Sequence, residues 1–362
     1  MRLPSFRELS MEQDRIYNLP LTSNYLISGP PGTGKTVIAL YRASMYKKQD
    51  ETPILLSYSK LLSNYIGDAA SALEIEGLVQ TYHRWVFITY RNYFGENPPQ
   101  TQPYVYDWNA ITPKLVMAML ADMPYLLIDE GQDLPPEFYA AASLMSKNLT
   151  VFADENQRIT ETQSTFEEIR RQAGIRSEHR LTKNYRNTKQ IAKAAACFYS
   201  GMPTGKPDIP DREGPLPVTY NTRNLDDAIN LICRFEKNNS HLQTGVFTKT
   251  VKFQQLLLEK LQDKTQNPVE FYNSGNGTMP SFQTPGIKLI TYNSAKGLEF
   301  DAVFIPEIQY ANLDMHNLEN KMLFYVLLSR AREYLYLLYS GTGSPSIFDL
   351  IPEDLIESRS TQ

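Results

Sequence analysis

Residues 29–36 read Gly29-Pro30-Pro31-Gly32-Thr33-Gly34-Lys35-Thr36. The pattern is G-x-x-x-x-G-K-[ST], in which backbone N–H groups of a glycine-rich turn cradle phosphates and the dipole of a following helix adds to the attraction. The flanks carry the same message. Asn24 to Ser28 is an apolar strand candidate running into the turn, and Lys35 to Lys48 is a helix candidate leaving it. Lys35 is placed to reach the β/γ-phosphates and Thr36 to ligate Mg²⁺. A lysine at a tight turn has no packing reason to be there, which argues against a glycine turn that binds nothing.

Working outward, the next informative stretch is Leu126-Leu127-Ile128-Asp129-Glu130. Its apolar run predicts a buried strand whose end offers Asp129 to a Mg²⁺ shell, while Glu130 can orient and deprotonate a water for attack on a γ-phosphate. That pair favours hydrolysis over transfer to a substrate hydroxyl. The chain has no Asn-Lys-x-Asp motif that would read guanine, so ATP is the expected nucleotide.

Short apolar runs (TSNYLISG, PILLSYS, PYLLIDE, LTVFAD) alternate with helical periodicity, which implies a parallel sheet covered by helices. After about residue 180 the pattern restarts with HRLTKNYR, then PVTYN, TGVFTKT, GIKLITYN, DAVFIPE and EYLYLLYSG. The expectation is therefore an α/β chain of two domains, residues 1–180 and 181–362. Three Gly- and Pro-dense stretches, near 96–103, 201–217 and 273–286, read as loops.

Composition narrows the classes. The 362 residues carry 36 Lys+Arg against 40 Asp+Glu, so no basic excess holds the chain on nucleic acid by net charge, and any such groove must be local. Two cysteines, Cys197 and Cys233, exclude a disulfide scaffold and a four-thiolate zinc site, and no zinc is expected. No apolar run approaches the length of a membrane span, and the N-terminus lacks an apolar signal core. The expected location is cytoplasmic.

Past this point the motifs form a series. Asp129-Glu130-Gly131-Gln132-Asp133 resembles the DExQD box of UvrD/Rep-like superfamily 1 DNA helicases, and further segments follow in that family's order from about residue 13 to 332. The resemblance implies two tandem RecA-like P-loop lobes, each a mainly parallel sheet flanked by helices, with the nucleotide cleft between them. It implies that Gln13 reads the adenine edge and that Gln157, in Ala153-Asp154-Glu155-Asn156-Gln157, couples the γ-phosphate to a DNA groove. In Asn184-Tyr185-Arg186-Asn187-Thr188, Tyr185 would stack on the base and Arg186 would contact the γ-phosphate. The segment from Thr291 to Phe300 is similar to T-x-H-S-A-K-G-L-E-F, with Asn293 in the histidine's place; Glu299 would bind the ribose hydroxyl, and Ser294 and Lys296 would lie near DNA. The segment from Phe324 to Arg332 resembles FYVALTRAR, with Arg330 as the arginine finger. Ser57, Tyr58, Thr81, His83 and Trp85 occupy the places of first-lobe contacts to single-stranded DNA, offering hydroxyl, imidazole and aromatic groups suited to phosphate bonding and base stacking.

Departures shape the expected activity. The gaps from Trp85 to Leu126 and from Lys249 to Gly286 are too short for the large helical insertions of full-length relatives, leaving in the second room for one helix and a loop. Thr160 stands where relatives have a stacking aromatic, and Val37 and Ile38 stand where an adenine-sandwiching arginine is common. The expected protein is an ATP- and Mg²⁺-dependent motor translocating 3′ to 5′ on single-stranded DNA. The second reading is an ATP-dependent regulatory or switch subunit beside a partner nuclease, as in anti-phage defence, without unwinding of its own.

Overall fold

The computed structural model describes residues 3–361 apart from 119, 158–162, 200, 202–203, 274–278 and 312–313. The chain divides into two compact units, Met1–Thr182 with Pro203–Gly205, and Lys183–Met202 with Lys206–Gln362. No helix among the described residues is long and apolar enough to cross a membrane.

The first unit runs α1 (Met11–Tyr17), β1 (Tyr25–Ser28), α2 (Lys35–Lys48), β2 (Pro53–Ser57), α3 (Lys60–Ala70), β3 (Val79–Thr81) and α4 (Tyr82–Phe94). A hairpin of β4 (Gln100–Gln102) and β5 (Val105–Tyr106) follows, then α5 (Trp108–Met117), β6 (Tyr125–Ile128), α6 (Pro136–Leu144), β7 (Asn148–Ala153), α7 (Phe166–Gln172) and β8 (Ser177–Arg180). Six strands form one parallel sheet in the order β3-β2-β6-β7-β1-β8. Because all six point the same way, the turns after β1, β6 and β7 meet at one edge of the sheet, where α/β folds place ligands. Leu26, Leu126, Ile128, Leu149 and Val151 pack under Trp85, Phe138 and Tyr139 in a continuous core.

The second unit contains α8 (Lys189–Ala196), β9 (Val218–Thr222), α9 (Leu225–Asn238), β10 (Gln243–Thr248), α10 (Val251–Leu261), β11 (Val269–Tyr272), β12 (Gly286–Thr291), β13 (Phe300–Ile305), α11 (Leu318–Leu328), β14 (Ala331–Ser340) and β15 (Glu357–Ser360). Its seven-stranded parallel sheet runs β11-β12-β10-β13-β14-β9-β15. The apolar stripe of α9 (Ala228, Ile229, Ile232) and Leu257 and Leu261 of α10 cover one face of it.

Three expectations change. The strand expected in HRLTKNYR as the start of the second half is β8, which ends at Arg180 and pairs with β1 at the edge of the first sheet. Edge strands bury only part of their side chains, and the alternating exposure of Ser177–Arg180 left no apolar run to assign it by. The Pro-rich stretch 96–103 is not all loop, since Gln100–Gln102 pairs antiparallel with Val105–Tyr106 across a two-residue turn. The stretch between Lys249 and Gly286 holds an extra edge strand, β11, besides its helix.

Candidate nucleotide site

The turn after β1 adopts the conformation that its glycines allow. Gly32 and Gly34 have φ of 84° and 86°, left-handed values that carry little cost only without a Cβ. At Gly34 a Cβ would also meet the Gln13 side-chain amide, which would have to shift from its bond to Thr33. Gln13 itself is buried, donating from Nε2 to the Thr33 carbonyl (3.1 Å) and accepting from the Ser10 N–H (3.0 Å). Arg42, fully buried on α2, donates to the carbonyls of Ile16, Tyr17 and Leu19 (2.9–3.0 Å), which closes the C-terminal end of α1. The helix carrying Gln13 is thus pinned to the phosphate loop at one end and to α2 at the other.

Around the loop the charged groups are interlocked. Lys35 Nζ donates to the carbonyls of Gly29 (2.6 Å) and Pro30 (3.2 Å) and lies 3.8 Å from Asp154. Thr36 Oγ1 donates to Asp129 Oδ2 at 2.7 Å, while Asp129 Oδ1 is buried and makes no hydrogen bond. Burial, aided by the Glu130 charge, pushes the Asp129 carboxyl up to about 7 against the pull of Thr36 and Lys35. A buried carboxylate oxygen without a donor, beside a threonine hydroxyl, is a hard oxygen site of the kind Mg²⁺ takes.

Glu130 is 5% exposed with φ 52°, a left-handed conformation that a non-glycine residue adopts only where its surroundings enforce it. Gln132 provides part of that enforcement, donating from Nε2 to Glu130 Oε2 (2.7 Å) and accepting the Asp154 N–H at Oε1 (2.9 Å). Asp154 in turn accepts from Gln157 Nε2 (2.9 Å) and the Asn156 N–H (3.0 Å), and burial raises its carboxyl while Lys35 draws it down. Glu130, Gln132, Asp154, Gln157 and Lys35 therefore form one connected network. The sequence reading gave Gln132 and Asp154 no role. Their signal was present, since both lie inside quoted motifs, but only the adjacency of β6 and β7 joins them.

In the second unit Arg186 Nε pairs with Glu299 Oε2 at 2.9 Å, and Arg186 Nη1 is buried without a hydrogen-bond partner. Desolvation raises the Glu299 carboxyl, but Arg186 and Arg332 outweigh it and hold it at about 2. Asn187 Nδ2 donates to the carbonyls of Ser329 (3.0 Å) and Ala331 (2.5 Å), on either side of Arg330. Arg330 is fully buried, donating to Val326 O (2.9 Å), Leu298 O (3.3 Å) and Ser329 Oγ (3.3 Å). Tyr185 is exposed, with Lys183 Nζ 5.9 Å from its ring centre.

Glu299→Gln is expected to lower stability by about 3 kcal/mol at pH 7, the linkage value of a carboxyl held near 2 rather than its ordinary 4.5. A depressed carboxyl contributes above its unfolded pKa and loses that contribution as pH falls through the folded one. The gap in urea midpoint between variant and wild type should therefore narrow to less than half by about pH 3. An equal gap at both pH values overturns the ion-pair account.

The residues expected to meet DNA separate into two kinds. Ser57 is fully buried with its hydroxyl 2.7 Å from Ser63 Oγ, and Trp85 is 2% exposed with its ring edge-on to Phe138, so neither presents its side chain outward. The apolar body of Trp85 is worth more inside the core than on a wet surface. Tyr58 is 47% exposed, and His83 is half-buried. Thr81 caps α4 by accepting from the Arg84 N–H. Ser294 Oγ accepts from Thr291 Oγ1 (3.0 Å), and Lys296 is half-buried. Thr160 lies outside the described residues.

Comparison with known proteins places this geometry. Residues 14–163 match the family model described as an AAA domain, and residues 267–342 match that of the UvrD-like helicase C-terminal domain. The two matches together support a likeness to the UvrD-like superfamily 1 helicases. Among similar curated proteins, a probable DNA helicase of Mycoplasma pneumoniae is 25% identical over 62% of this chain and 45% of its own length. A putative ATP-dependent DNA helicase of Acanthamoeba polyphaga mimivirus is 25% identical over 59% and 34%, and the PcrA helicase of Staphylococcus epidermidis is 28% identical over 44% and 22%. The matches thus span less than half of these relatives' own lengths. Among solved structures, S. cerevisiae Dbp5 bound to RNA and ADP BeF3 aligns over 97% of this chain and 90% of that one with a TM-score of 0.51 at 12% identity. The DEAD-box helicase Mss116 aligns over 97% and 74%, also at 0.51, with 13% identity. These likenesses show the fold, two α/β lobes built on parallel sheets.

Proposed function

We propose that this chain is an ATP-hydrolysing motor that binds single-stranded DNA and translocates along it 3′ to 5′. The observation that carries the proposal is the network joining Lys35 of the phosphate loop to Glu130 and Gln157 through Asp154 and Gln132, with the Thr36–Asp129 pair beside it. A network that links the group facing a γ-phosphate to a glutamine on a neighbouring strand end has the connectivity needed to report nucleotide state elsewhere. Relatives described as DNA helicases support DNA as the track.

In this reading the turn from Gly29 through Gly34 holds the phosphates and Lys35 exchanges its carbonyl partners for phosphate oxygens. Thr36 and Asp129 hold Mg²⁺, whose charge offsets that of the phosphates. Glu130 takes a proton from the attacking water. From the second lobe, Arg186 is the guanidinium for the γ-phosphate, while Tyr185 and Glu299 are the residues for base and ribose. The finger role for Arg330 requires it to exchange its bonds to Val326 and Leu298 for bonds to phosphate. DNA contacts narrow to Tyr58, Thr81 and His83 in the first lobe and Ser294 and Lys296 in the second.

Steady-state ATP hydrolysis with and without single-stranded DNA, over a salt series, tests the proposal. Turnover should rise on adding DNA, with an apparent affinity that weakens as salt increases. Unstimulated turnover overturns it. A motor moving 3′ to 5′ should displace streptavidin from a 5′-biotinylated strand faster than from a 3′-biotinylated one. Lys35→Ala should weaken nucleotide binding by about a hundredfold or more, because it removes charge-assisted bonds to phosphate. Titration calorimetry with ATP reads this, and affinity near wild type counts against the phosphate role.

A further inference from the structure

The short segment between α4 and α5 ends in a feature that the nucleotide site does not use. In the β4–β5 hairpin the two turn residues are Pro103 and Tyr104, and Tyr104 has φ 66°. After a proline at the first turn position, the second favours glycine or asparagine, because a positive φ crowds any larger Cβ. The phenol ring is not there for packing, since Tyr104 is 76% exposed. Its recorded ring contact is with His83, 6.1 Å away and edge-on. His83 continues to Tyr82 (4.0 Å) and to Tyr58 (6.5 Å), and Tyr82 and Tyr58 lie 6.0 Å apart with planes within 13°. His83 Nδ1 is buried without a hydrogen-bond partner, and burial lowers the imidazole's pKa, so the ring is a neutral aromatic surface at pH 7. The Tyr106 hydroxyl donates to the His83 carbonyl at 2.8 Å, which fixes the hairpin to the start of α4.

We propose that Tyr104 is a base-stacking platform at the tip of this hairpin, extending through His83 the aromatic surface that begins at Tyr58. The ligand is an unpaired nucleobase of a single strand. A strained backbone position occupied by an exposed aromatic ring, joined by further rings to a second exposed one, suits successive π-faces rather than a protein core. The surface is sequence-tolerant, since every base offers a π-face. The inference rests on the reading of the chain as a single-strand binder and adds a contact to it.

Fluorescence anisotropy on the full chain tests it with two labelled probes, a dT oligonucleotide and an abasic oligonucleotide of equal length. Tyr104→Gly is the informative variant because glycine accepts φ 66° without strain, so the hairpin keeps its turn while the ring is lost. Tyr104→Gly should weaken dT binding roughly five- to a hundredfold, with an unchanged salt slope and no loss of urea midpoint. Tyr104→Phe should bind dT within about twofold of wild type, and the abasic probe should not distinguish the three proteins. Wild-type dT affinity in Tyr104→Gly overturns the Tyr104 assignment and leaves the motor reading standing. Equal weakening for both probes also overturns it, since the ring would then act on the backbone or the fold. A wild-type chain that binds neither probe removes the ground of both readings.

Discussion

Glu130→Gln is expected to bind ATP as the wild type does and to hydrolyse it about 10²- to 10⁴-fold more slowly, the usual contribution of a positioned general base. The substitution keeps the shape of the side chain and an oxygen able to accept from Gln132, so the left-handed turn at residue 130 should persist. What disappears is the basic oxygen. Asp129 cannot replace it, because its Oδ2 is committed to Thr36 and its Oδ1 faces the position assigned to Mg²⁺. Nucleotide affinity read by calorimetry, beside single-turnover hydrolysis, separates the two effects. Wild-type turnover in Glu130→Gln refutes the base assignment. Retained chemistry with lost affinity would make Glu130 a binding residue instead.

Arg330→Ala is expected to cost about 3–5 kcal/mol of stability, visible as a lower urea midpoint, before any effect on turnover is considered. The guanidinium is fully buried, and removing it takes a donor from the Leu298 carbonyl, leaves the Val326 carbonyl with the Ser329 hydroxyl, and empties the space beside Ser329. An arginine held out in solvent for a phosphate would change stability by no more than about 0.5 kcal/mol when truncated. A loss below about 1 kcal/mol therefore overturns the buried-anchor account. Arg330→Lys should recover part of the loss, since lysine fills the stem but cannot present the fork that serves these acceptors.

Much of the molecule could be read along the chain because its signals are local. The phosphate loop, the apolar run before Asp129 and the helix from Lys35 to Lys48 depend on residues within about a dozen positions of one another, and α2 has the predicted ends. The elements that escaped were short and at sheet edges. β3, β11 and β15 bury too little apolar surface to leave a periodic pattern, and β8 joined the first sheet rather than the second for the same reason.

The amino-acid sequence by itself determined which chemistry is possible here: a phosphate cradle, a paired aspartate and glutamate, and two lobes of α/β type. Only the tertiary structure decided which side chains share an environment. Gln132 meets Asp154 because β6 and β7 are neighbours, and Asn187 brackets Arg330 because α8 packs against α11 and β14. Burial is likewise decided by what the rest of the fold lays over a residue. Nothing local distinguishes Trp85 and Ser57, which are inside, from Tyr58 and Tyr104, which are outside. A side chain's neighbours across a sheet are set by strand order, and strand order comes from long-range packing, which no window of sequence contains.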